Sequence, residues 1–223
     1  MRKFLLAAAA ALVLAQPAVA DFDLQVTEIW PGNNPGNDDV TDDWFELTNV
    51  GTMAWTSADG DLYFDDDSEN PVVADLMSGI TSIAPGESVI FVDEGPVGAA
   101  VWSGVWGAVV SPLPQVGSYS GAGLSGGGDA VSIFLDANFD GPDAGELIEV
   151  AGYPDADLSG GQSYDVVLGA FSTVGDAAGS VATIAVNDVQ QPAIGSPGTS
   201  VPEPASAALF ALGVICVMTH RRK

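Results

Sequence analysis

The chain has 223 residues with 30 Asp and Glu against five Lys and Arg, a formal charge of −25, and its five basic residues are Arg2, Lys3, Arg221, Arg222 and Lys223. Between Asp21 and Ser200 it carries 29 acids and no Lys, Arg, His or Cys, since its one His is His220 and its one Cys is Cys216. That interior cannot replace the counterions of a nucleic acid, build a zinc site from His and Cys, or supply the base of a Ser-His-Asp, Cys-His or Ser-Lys nucleophile, and it has no disulfide to brace it.

In chain order, Arg2 and Lys3 precede an apolar run from Phe4 to Ala15, and Ala18-Val19-Ala20 precede Asp21. This is the charged, apolar, small-residue order of a secretory signal peptide, in a run too short for a spanning helix of roughly 20 residues. Residues 1–20 therefore read as a signal helix cut by signal peptidase between Ala20 and Asp21. The domain of 21–189 alternates short Val, Ile, Phe and Leu segments with Gly, Pro, Asn and Asp clusters, a pattern of half-buried strands. Strands are expected over 24–30, 44–49, 61–64, 88–93, 130–135, 147–151, 163–168 and 181–186. Residues 97–110 predict a brief helix with Trp102 and Trp106 on one face, ended by Pro112 and Pro114. The glycines of 117–128 predict a loop, and 190–200 a spacer. Several short strands with turns between them predict an all-β sandwich.

With cationic and thiol chemistry removed, oxygen ligands for a hard cation such as calcium remain. Asp136-Ala137-Asn138-Phe139-Asp140-Gly141 has the alternating oxygens and turning glycine of half a calcium loop, making Asp136, Asn138 and Asp140 candidate metal ligands. The twelfth position is Leu147 rather than Glu, so an acidic hairpin turn is the other reading. The run of Asp65, Asp66, Asp67 and Glu69, with Asp59 and Asp61, reads first as a solvated loop. Glu28 and Glu46 fall in two expected strands. If neighbouring and buried, one would have a raised pKa; a glycosidase would need such a pair in an open cleft. Trp30, Trp44, Trp55, Trp102 and Trp106 would stack on sugars if exposed and fill the core if not.

Two resemblances follow from these residues. Pro202-Glu203-Pro204, the apolar stretch of 205–219 and the terminal Arg221, Arg222 and Lys223 resemble the PEP-CTERM sorting signal. That resemblance implies recognition by an exosortase, transient membrane insertion through a C-terminal hydrophobic helix, and delivery to the cell envelope, cell surface or extracellular polysaccharide matrix. An ordinary C-terminal anchor is the alternative. Val26-Thr27-Glu28-Ile29, the Asp43 to Asn49 segment with Gly51, Ile83-Ala84-Pro85-Gly86-Glu87-Ser88, the Leu124 to Val131 segment, Tyr153 and Ser196-Pro197-Gly198 resemble, in that order, the lamin-tail domain. This second resemblance implies an immunoglobulin-like sandwich acting as a structural or adhesive module that binds envelope proteins or matrix polysaccharide, without catalytic residues. The family's arginine after a late Gly-x-Ser turn is missing at Gly161-Gln162-Ser163-Tyr164-Asp165. The competing functions are a calcium-assisted carbohydrate-binding module and, third, a carboxylate-pair glycosidase.

Overall fold

The computed structural model describes residues 21–32, 41–156, 161–173, 181–183 and 193–198. The expected signal segment, the sorting tail and the end of the last expected strand lie outside the described residues. The elements are β1 (Leu24–Trp30), β2 (Trp44–Asn49), β3 (Trp55–Thr56), β4 (Asp61–Asp65), β5 (Asp75–Leu76), β6 (Ser82–Ile83), β7 (Ser88–Val92), α1 (Gly95–Trp106), β8 (Val116–Ser118), β9 (Asp129–Asp136), β10 (Leu147–Tyr153), β11 (Tyr164–Asp165), β12 (Ala170–Phe171), β13 (Val181–Thr183) and β14 (Ala193–Gly195).

A six-stranded sheet runs β12-β11-β1-β2-β7-β8, antiparallel except for the parallel β7 and β8 pair, and a four-stranded antiparallel sheet runs β10-β9-β4-β5. Their inner faces share one core. Val26, Phe45, Leu47, Val89 and Phe91 come from the first sheet, and Leu62, Phe64, Val131, Ile133 and Tyr153 from the second. This is the layered packing expected of strands with one apolar face each.

The first sheet is buried on its outer face too. On β2, Phe45 and Leu47 enter the sandwich while Trp44, Glu46 and Thr48 alternate with them on the opposite side, and all five are fully buried. Two elements cover that outer face. Helix α1 presses Trp102 and Trp106 onto Trp30, Trp44, Ile90 and Val92. Trp44 meets Trp102 and Trp106 edge-on, with ring centroids at 5.8 and 5.7 Å, a geometry that contributes about 0.5–1.5 kcal/mol per pair beyond the area buried.

The second cover is the segment of 193–198, whose Ala193, Gly195 and Ser196 are buried. The sequence reads 190–200 as a spacer; its central residues instead form β14 and seal the sheet. Three further differences are local. The helix starts two residues earlier than expected, at Gly95, with Pro96 fitting its first turn. Strand β8 occupies the start of the glycine-rich stretch, where a Cβ on Gly117 would lie 2.5 Å from the Ser78 carbonyl oxygen and 2.6 Å from the Phe91 ring. The strand expected over 163–168 is only the two-residue β11, which turns at once into β12.

Candidate functional site

Glu28 and Glu46 are directly paired across β1 and β2, and both are fully buried. A register irregularity between Val26 and Glu28 is what aims them together. Val26 and Ile29, three positions apart, both reach the inner core, and Glu28 and Trp30 turn to the outer face with Glu46 and Trp44.

Among the described residues no cation meets these carboxylates; hydroxyl and backbone N–H donors do. Glu28 Oε1 accepts from the Ser163 hydroxyl and from the Ser196 N–H at 2.7 Å, and Oε2 from the Ser196 hydroxyl at 3.2 Å. Glu46 Oε1 accepts from the Thr27 hydroxyl at 2.6 Å, and Oε2 from the Gly198 N–H. Behind them the hydroxyls of Thr27 and Thr48 are 2.9 Å apart and those of Thr48 and Ser88 2.6 Å apart. The pair thus grips the terminal segment through the backbone amides of two alternate residues, Ser196 and Gly198. Gly195 is required by the closeness of that grip, because a Cβ there would lie 2.8 Å from Glu28 Oε1 and 3.0 Å from Ser163 Oγ.

Burial pushes both carboxyls up, Glu28 to about 7 and Glu46 to about 8; the Glu28 charge raises Glu46 further, Asp165 raises Glu28, and the donors oppose the shift. The two act as one titrating unit that retains a proton near neutrality. The open cleft that a glycosidase would need over this pair is therefore not met: both side chains are sealed under 193–198.

A second acidic constellation escaped the sequence reading. Asp42, Asp43, Asp93 and Glu94 line a cavity of ≈ 240 Å³ with Pro31, Gly32, Thr41 and Leu124. Asp43 Oδ2 accepts the Leu124 N–H at 2.6 Å, and burial, then Asp93, Asp42 and Asp129, push its carboxyl up to about 7. The Thr41 hydroxyl is buried without a partner among the described residues. The available signal was two acidic dipeptides at the start of β2 and the end of β7, strands that pair Trp44 with Val92.

The three candidate calcium ligands share one turn. Asp136 is buried at the end of β9, with Oδ1 accepting the N–H of Phe139 at 2.7 Å and of Asp140 at 3.3 Å, and Oδ2 that of Gly141 at 2.8 Å. Asn138 and Asp140 are exposed, and the Asn138 side chain accepts the Asp140 N–H. Asp136 thus closes the turn with backbone amides, and Phe139 lies in the left-handed region at φ 62°. Among the described residues no group of three or more His, Cys, Asp or Glu converges as a metal cluster. Asp65 accepts from Ser68 and Asn70 in a turn of its own. All five tryptophans are buried, so none forms the exposed row a carbohydrate platform would need.

Residues 200–223 match the PEP-CTERM protein-sorting motif, which contains Pro202, Glu203 and Pro204. The chain is thus an exported, envelope-directed protein, and its sorting partner is an exosortase. Neither the curated proteins nor the solved structures include a match to the chain. The sorting motif begins two residues after Gly198, the last residue that the buried glutamates hold.

Proposed function

We propose that residues 21–198 form an immunoglobulin-like sandwich of the lamin-tail type and serve as a non-catalytic structural or adhesive domain, which the sorting tail delivers to the cell surface or its polysaccharide matrix. The observation that carries this reading is the commitment of Glu28 and Glu46. Two facing carboxylates are the arrangement that acid-pair chemistry would use, and here every hydrogen bond described for them ends on the domain's own residues. The Ser196-Pro197-Gly198 segment, which closes the lamin-tail resemblance, is the one they hold.

Fractionation of cells producing the full chain tests the proposal. The intact protein is expected in the surface or matrix fraction. A variant with Pro202, Glu203 and Pro204 all changed to Ala is expected to stay uncut in the membrane. Recovery of the intact protein only as free solute in the medium would overturn the structural role. Glycan turnover abolished by Glu28→Gln would overturn its non-catalytic character.

A further inference from the structure

Helix α1 and the turn that follows it make an uncharged surface on a strongly acidic molecule. From Gly95 to Pro114 no residue carries a charge, although 29 acids lie between residues 21 and 200. The inner side of the helix is Gly98, Trp102 and Trp106. Its outer side is Val97, Ala100, Val101 and Gly104, followed by exposed Ala108, Val109 and Leu113; Val97 is 72% exposed and Val101 44%. The spacing 97, 100, 101 and 104 puts these residues on one helical face. A surface helix ordinarily turns a polar face outward, and one that is apolar all round is covered on both sides. Among the described residues, only one side of α1 is covered.

The route of the chain identifies the missing cover. Glu28 and Glu46 hold Ser196 and Gly198, and a Cβ on Gly198 would lie 3.5 Å from the Pro114 ring. The described chain therefore reaches Gly198 beside the end of the uncharged surface. Seven positions later Ala205 opens the apolar stretch of the sorting motif, a reach of at most about 25 Å.

We propose that the surface of residues 95–114 rests on the lipid bilayer that holds the sorting tail, so that the unprocessed domain lies on the membrane. The 12 residues of α1 make a helix of about 18 Å, too short to cross, so the helix lies in the interface. With no Lys or Arg between Asp21 and Ser200, the domain has no electrostatic attraction for anionic headgroups. Contact depends on apolar burial and on the tether, which raises the local concentration of the face at the bilayer to roughly the millimolar range. Cutting the tail and freeing the domain from the membrane then become one event. This proposal rests on the tail being membrane-inserted before it is processed.

The test uses the full chain in vesicles of phosphatidylcholine and phosphatidylglycerol doped with lipid carrying a nitroxide near the headgroup. An environment-sensitive fluorophore is placed on native Cys216, on Val101→Cys, or on Val72→Cys, the last two with Cys216→Ala. Val72 is 89% exposed in the connection between β4 and β5 of the other sheet. The expected result is several-fold quenching and a blue shift at positions 216 and 101 and neither at 72. Adding Val97→Asp should bring position 101 down to the level of 72 while 216 stays quenched. A lipid-embedded label at 216 with an aqueous one at 101 overturns the docking alone, whereas an aqueous label at 216 overturns both insertion and docking. A label at 101 that is shielded without lipid quenching, in a particle of doubled mass, assigns the face to a second copy and overturns the bilayer.

Discussion

Asp136 and Glu28 both sit in a chain without internal cations, and both satisfy a buried carboxylate with donors from the chain itself. Asp136 takes three backbone amides in its own turn, at the end of β9. Hydrogen bonds to a charged group contribute about 1.5–3 kcal/mol each, less than additively. Asp136→Ala should therefore lower stability by about 2–3 kcal/mol in EDTA, read as a lower urea midpoint with the slope unchanged. The calcium-loop reading of Asp136, Asn138 and Asp140 carries a separate expectation. Calcium at matched ionic strength should raise the melting temperature more than magnesium does, and Asp140→Ala should abolish that excess, because a ligand selective for the folded form stabilises it. Equal shifts from both salts would leave the turn with a structural role alone.

Elements differ in how far the sequence announces them. The bounds expected for β1 and β2 coincide with those observed, because each is a β-rich apolar run between turn residues. The paired indoles of α1 also fall on the buried face as their spacing predicts. The terminal segment was illegible for a physical reason: Ala193, Ile194 and Gly195 show no alternation and stand among Gln, Pro, Gly and Ser, and their burial is set by partners such as Glu28, 168 positions from Ser196. The acidic cavity was illegible for a similar reason, since no local pattern tells which strand ends will meet. Glu28 and Glu46 could be assigned to strands, but their burial required knowing that a cover existed. Gly195→Ala tests that cover. Its Cβ would press on Glu28, Ser163 and Trp106 at 2.8 to 3.2 Å, and such overpacking costs about 1–3 kcal/mol. Limited proteolysis should then cut near residue 195 faster than in the wild type, with the sandwich strands still protected.

Across the whole molecule, acidity inverts the ordinary dependence of stability on pH. Glu28, Glu46 and Asp43 have folded-state pKa values raised to about 7, 8 and 7. A raised value means that the folded state binds its proton more tightly than the unfolded chain does. The stability these groups confer is fully present below their unfolded values near 4 and is lost as pH rises through 7 to 8. The melting temperature should therefore fall from pH 5 to pH 8.5 even at about 0.5 M salt, where repulsion among surface carboxylates is screened. Glu46→Gln should flatten the profile, by removing one titrating group and its charge from beside Glu28. Stability that rises over this interval in the wild type would contradict the assignment.

The strap over Glu28 and Glu46 also imposes an order on biogenesis. Synthesis runs from the N-terminus, so β1 and β2 present their carboxylates long before Ser196 and Gly198 exist to cover them. Pairings across such sequence distances form late and leave a partly assembled chain exposed in the interval. Among the described residues the last stitch of the fold is made at Gly198, two residues before the sorting motif, so a chain terminated before Ser196 would lack its address and its closure together.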